Sequence, residues 1–135
     1  MDLIGITGTV RLEVTPARTA ETVGSGTLAV CATPVVAAAA EGAAVAALAA
    51  HLEEGETTVG TNITLDHLAA TPVGMTVNAT ATLTRHEGRR YEFSFSCRDE
   101  AGEIARGTHT RVAVAAERFM QKALTRRSAA ILDET

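Results

Sequence analysis

Aromatic side chains are nearly missing: the 135 residues include three Phe, one Tyr and no Trp. A core without large rings has to be filled by Ala, Val, Leu and Ile, and such short side chains require helix and sheet to pack closely. Cysteine is scarce as well. Cys31 and Cys97 stand far apart and form no CxxC pair, so neither a disulfide framework nor a metal-binding cluster is implied. Basic residues do not dominate. The 12 Lys and Arg are scattered among 16 Asp and Glu, for a net charge of -4, which argues against nucleic acid as a partner. The first eight residues, Met1 to Gly8, lack a basic n-region and a long apolar run, so no signal peptide is expected and a cytoplasmic location follows. No internal repeat is apparent, and the length suits a single domain over residues 1–135.

What the chain does have is a long run of small apolar residues from Thr33 to Gly55. Thr33 suits an N-cap, Pro34 the first helical position and Gly55 a left-handed stop, so the run is expected to be one helix. Between Pro34 and Ala50 only Glu41 and Gly42 interrupt it. A helix apolar all round spans a membrane or lies inside a protein, and a central acid disfavours the membrane. Burial is therefore expected, with no membrane as partner. A carboxylate out of water is costly unless it is paired, hydrogen-bonded or protonated, which singles out Glu41 as a functional acid. The alternative is that Glu41 lies at a dimer seam or cavity edge and meets an Arg. Gly42 costs about 1 kcal/mol against alanine in a helix, so a strand or a ligand is expected to approach closely there.

Around this helix the pattern changes to a period of two. Ile4 to Val14 reads as a strand, followed by a short helix over Ala17–Val23 and a turn at Gly24-Ser25-Gly26. That Gly-Ser-Gly is also compatible with a phosphate nest. After Gly55 come four strand-like runs. In the first, Val59, Thr61, Ile63, Leu65 and His67 share one face; in the second, Val77, Ala79, Ala81 and Leu83 do. Tyr91, Phe93, Phe95 and Cys97 mark the third, and Ile104 to Val114 the fourth, with a bulge expected at Gly107. A short amphipathic helix is expected over Ala116–Leu124, with a loose tail from Thr125. The fold class is α+β, one antiparallel sheet of five strands wrapped around one helix. Its open edges favour pairing with a second copy as a homodimer. His67 shares the face turned toward the helix, so an imidazole and the Glu41 carboxylate are expected to meet in an apolar place; a satisfied core histidine is the alternative.

The segment Gly60-Thr61-Asn62-Ile63-Thr64-Leu65-Asp66-His67-Leu68-Ala69-Ala70-Thr71-Pro72-Val73-Gly74, with Glu87-Gly88-Arg89-Arg90 and Gly107-Thr108-His109-Thr110-Arg111, resembles the fluoroacetyl-CoA thioesterase-like branch of the hot-dog thioesterases. The resemblance runs from about Thr33 to Met120. It implies a hot-dog fold, a homodimer and hydrolysis of an acyl-CoA thioester, with coenzyme A present only as part of the substrate and neither cofactor nor metal. Carried over by position, it implies Thr33, Glu41 and His67 as the catalytic set and Gly60 as a backbone contact to the acyl group. Thr33 has a second reading as a helix cap. Thr33 and Glu41 lie about 12 Å apart along a straight helix, so either a loop folds back or the site is shared between protomers. In the mechanism expected, Glu41 held by His67 activates water or attacks the carbonyl, while Thr33 and a backbone N–H hold the oxyanion. Arg111 and the Arg89-Arg90 pair are candidate contacts for the CoA phosphates. The fluoroacetyl-specific enzyme is aromatic-rich before the central helix, whereas Ala17–Ala40 contains no Phe, Tyr or Trp, so that specificity is not carried over. Two other readings are a hot-dog dehydratase or hydratase and a non-catalytic acyl-CoA-binding dimer.

Overall fold

Alanine decides how helix and sheet come together. The computed structural model describes residues 2–133. Strand β1 (Thr7–Glu13) leads through a 3-10 turn (Pro16–Arg18) and the short α1 (Ala20–Val23) to the long α2 (Thr33–Leu48). Four strands follow, β2 (Glu56–His67), β3 (Thr76–Glu87), β4 (Arg90–Asp99) and β5 (Gly102–Ala115), and then α3 (Ala116–Asp133). They form one antiparallel sheet in the order β1-β3-β4-β5-β2, with β1 and β2 at the edges.

Helix α2 lies mainly over β1 and β3. A Cβ on Gly8 would run into the backbone of Ala43 and Ala47, so the glycine sets how near β1 can come. Gly42 faces the same strand, where a Cβ would stand 3.2 Å from a methyl of Val10. The close neighbour expected at Gly42 is therefore a strand. Val36, Ala39, Ala40, Ala43, Ala44, Ala47 and Leu48 form the buried side of α2. Opposite them lies the inner face of the sheet, with Val77, Ala79, Ala81 and Leu83 on β3 and Tyr91, Phe93, Phe95 and Cys97 on β4. Three of the four aromatic residues are thus spent on one central strand.

Several expectations need correction. Helix α2 is not enclosed on all sides: Ala38, Val45 and Ala46 face outward, Val45 at 45% exposure. The α-helix ends at Leu48 and continues as a 3-10 turn over Ala49–His51, short of Gly55. Its N-cap is Ala32, with Thr33 the first helical residue. Alternation in β2 changes parity, because the register with β5 slips between Gly60 and Asn62 and leaves Thr61 as an extra residue. Thr58 and Gly60 therefore share the inner face with Ile63, Leu65 and His67, in place of Val59 and Thr61. No bulge lies at Gly107, which pairs regularly with Leu65 and Phe95; a Cβ there would meet the Thr64 carbonyl and the Phe95 ring. Finally, α3 continues through Thr125 to Asp133, well past the expected end at Leu124.

Candidate active site

Thr33 and His67 come together because both ends of the intervening chain are tied down. Before α2, Cys31 N–H donates to the Thr71 carbonyl (2.8 Å) and Ala32 N–H to the Arg18 carbonyl (3.0 Å). After β2, the N–H groups of Leu68 and Ala69 both reach the Ile104 carbonyl. Thr71, fully buried, donates its hydroxyl to the Asp99 carboxylate at 2.8 Å. The Ala-Ala-Thr-Pro segment thus holds the start of α2 against the end of β2. There Thr33 Oγ1 stands 2.8 Å from His67 Nδ1. The hydroxyl makes no cap bond, so its capping reading gives way to this contact.

His67 Nε2 is buried and meets no hydrogen-bond partner among the described residues. Beside it opens a cavity of about 350 Å³ lined by Val30, Cys31, Thr33, His67, Leu68 and Ala69, among others. Its walls are short and mostly apolar. Cys31 is no rival nucleophile there, since burial pushes its thiol above the ordinary range and keeps it protonated. Ser25, from the Gly24-Ser25-Gly26 turn, reaches the same cavity. Gly24 itself takes φ +90 and closes α1 as a left-handed cap.

Glu41 does not meet His67 within one protomer, contrary to the expectation from β2 periodicity. Its carboxylate lies two turns further along α2, 3.7 Å from Arg111 Nη1, and the side chain is 42% exposed rather than buried. Of the two sequence readings of Glu41, the one in which it meets an Arg describes this contact. Arg111 in turn is only 8% exposed. Its Nε donates to Thr58 Oγ1 and its Nη2 to the Thr58 carbonyl, both at 2.9 Å, and its Nη1 points at His109 Nε2 at 3.1 Å. Burial lowers the guanidinium's affinity for its proton, and the Glu41 charge opposes that. A side chain clamped in this way is not free to bind CoA phosphates, so that role for Arg111 is withdrawn.

Gly60 closes the cluster. A Cβ at this position would stand 3.0 Å from Glu41 Oε2, 3.1 Å from His109 Cε1 and 3.2 Å from Arg111 Nη1. A crevice of about 270 Å³ opens along Glu41, Gly60, Thr61, Asn62, Ile63 and His109. The described residues of one protomer thus hold two separate clusters, a hydroxyl–imidazole pair on the wall of a cavity and a carboxylate near a buried guanidinium. Sequence reasoning gave no role to His109 or Thr58. The alternation His109, Arg111, Ala113 on the inner face of β5 was the signal for the first, and the unseen bulge concealed the second.

Comparison with known proteins agrees with this architecture. Residues 14–117 match the family described as fluoroacetyl-CoA-specific thioesterase. The fluoroacetyl-CoA thioesterase of Streptantibioticus cattleyicolor is 46% identical over 82 residues, 61% of this chain; that match spans 59% of the relative, less than two thirds of its length. A solved fluoroacetyl-CoA thioesterase superposes with a TM-score of 0.87 at 36% identity, covering 93% of this chain and 96% of that one. A thioesterase superfamily member from Thermus thermophilus superposes with a TM-score of 0.84 at 27% identity, covering 98% and 96%. The chain has the hot-dog fold and belongs to the fluoroacetyl-CoA-specific thioesterase family.

Proposed function

We propose that this protein is an acyl-CoA thioesterase acting on a small acyl group, and that its working unit is a two-fold dimer. The observation that carries the reading is the Thr33–His67 pair on the wall of a cavity with short, mostly apolar side chains, with His67 Nε2 buried and unpartnered among the described residues. A related fluoroacetyl-CoA-specific thioesterase has been seen with fluoroacetate and CoA bound, which supports a CoA thioester as the substrate class.

The free edge of β2 joins the two half-sites. Antiparallel pairing of two copies about Thr64 would lay the Gly60 end of one β2 beside the His67 end of the other, inner face with inner face. In each of the two composite sites Glu41 takes a proton from water as the water oxygen bonds to the thioester carbonyl carbon. The Thr33 hydroxyl and a backbone N–H beside Gly60 stabilise the oxyanion. Collapse breaks the C–S bond, and the departing thiolate receives the proton that Glu41 had taken. His67, bonded to Thr33 through Nδ1, orients that hydroxyl.

A thiol-release screen over short, branched, aromatic and halogenated acyl-CoAs tests the reading. Turnover of at least one small acyl-CoA is expected, with a fall of roughly 10²- to 10⁴-fold in Glu41→Gln or His67→Ala and no loss of fold. Retained turnover in either variant removes that residue from the set. Hydration of crotonyl-CoA without thiol release points to a dehydratase instead.

A further inference from the structure

His109 has no place in the chemistry above, yet it is 2% exposed and both of its ring nitrogens are committed. Nδ1 lies 2.7 Å from the Asn62 carbonyl, which can only accept, so the proton sits on Nδ1. Arg111 Nη1, which can only donate, lies 3.1 Å from Nε2, so Nε2 carries a lone pair and accepts. The chain fixes one neutral tautomer.

The consequence lies in how Arg111 divides its donors. Thr58 takes Nε and Nη2, leaving Nη1 shared between His109 Nε2 and Glu41 Oε2, the latter at 3.7 Å. That separation is longer than a hydrogen bond, and Arg111 is the one cation within 4 Å of Glu41 among the described residues. Nη1 has a second N–H besides the one His109 accepts, and without the imidazole to anchor it, Nη1 would close on Oε2. A fully engaged guanidinium would then hold a lone pair that a base needs for water.

We propose that His109 is a positioning residue for the hydrolysis, holding Arg111 at a distance from Glu41 that steadies the carboxylate without capturing it. This rests on the thioesterase reading above. Among the described residues the groups around the ring include Glu41 from α2, Arg111 on the same strand, the uncharged Gly60, Asn62 and Ile63 of β2, and Phe93 opposite it on β4. Glu92 and Arg90 alternate onto the other face of the sheet.

The experiment compares wild type, His109→Leu and His109→Gln on the best acyl-CoA from the screen. His109→Leu is expected to lower kcat by roughly 10- to 100-fold, the worth of one hydrogen bond to a charged group, with KM within about threefold. His109→Gln, whose amide oxygen can accept from Nη1, restores kcat to within a few-fold of wild type. Wild-type kcat in His109→Leu overturns the proposal, as does a loss that Gln does not rescue. Nitrogen-15 spectra of the wild-type ring provide a readout free of turnover: a proton on Nδ1 alone is expected, and one on Nε2 overturns it. A wild type that hydrolyses no acyl-CoA sinks the parent reading first, and is distinguished from failure of this one by the unaltered spectra.

Discussion

At position 60 the chain has room for a hydrogen and little else. Three polar groups, Glu41 Oε2, His109 Cε1–H and Arg111 Nη1, converge on the place where a side chain would begin. Gly60 takes no positive φ, so its need is for space rather than for an unusual backbone. Gly60→Ala is expected to displace these neighbours by a few tenths of an ångström. Misplacement on that scale disturbs a catalytic group far more than it disturbs a core. The expected result is a loss of roughly 10- to 100-fold in kcat/KM, with a melting temperature within a few degrees of wild type. Thermal melting alongside thiol-release kinetics checks both halves. At this scale the sequence was informative about residue types and less so about partners. A carboxylate among alanines stood out at Glu41, and the imidazole at the end of β2 did so at His67. That the first pairs with Arg111 and the second with Thr33 depends on which residue of β2 faces inward, and counting residues did not reveal that.

The element that misled the count is β2. Strict alternation put Val59 and Thr61 inside, whereas the extra residue at Thr61 turns Thr58 and Gly60 inward. A bulge adds a residue without altering composition, so a period-two reading passes through it. The exchange matters because Thr58 gives Arg111 a hydroxyl acceptor besides its carbonyl, where Val59 has no side-chain acceptor. The strands without such a slip between their buried positions, β1 and the inner face of β3, followed their hydrophobic pattern closely. Helix α3 exceeded its expected length because residues after Leu124, among them Ala129, Ala130 and Ile131, favour helix even with no core to cover. The free edge of β2 carries its own prediction. If two copies pair about Thr64, this residue faces its own symmetry mate across the axis on the outer side of the sheet. Thr64→Cys is expected to give a dimer on a non-reducing gel under mild oxidation, and Thr57→Cys, far from the axis, is not. The reverse pattern would place the axis elsewhere on the strand.

For the whole molecule the question is whether one protomer can work alone. Thr33 and Glu41 start about 12 Å apart on one rigid helix, and no rotamer closes that gap. The two half-sites each open on a different cavity, and the strand carrying both Gly60 and His67 has its outer edge free. In the dimer proposed, a two-fold axis through that edge would bring unlike halves together twice, giving two sites that each draw on both chains. This has an arithmetic consequence. Glu41→Gln and His67→Ala, each inactive alone, are expected to recover activity when unfolded together and refolded as an equal mixture. Random pairing makes about half the dimers mixed, and each mixed dimer has one intact site and one doubly altered site, so the mixture should reach about a quarter of wild-type kcat per protomer. Mixing without refolding recovers less if the dimer exchanges slowly. A site contained in a single chain gives no recovery, because neither chain then holds a full set, and thiol release by the refolded mixture decides between the two.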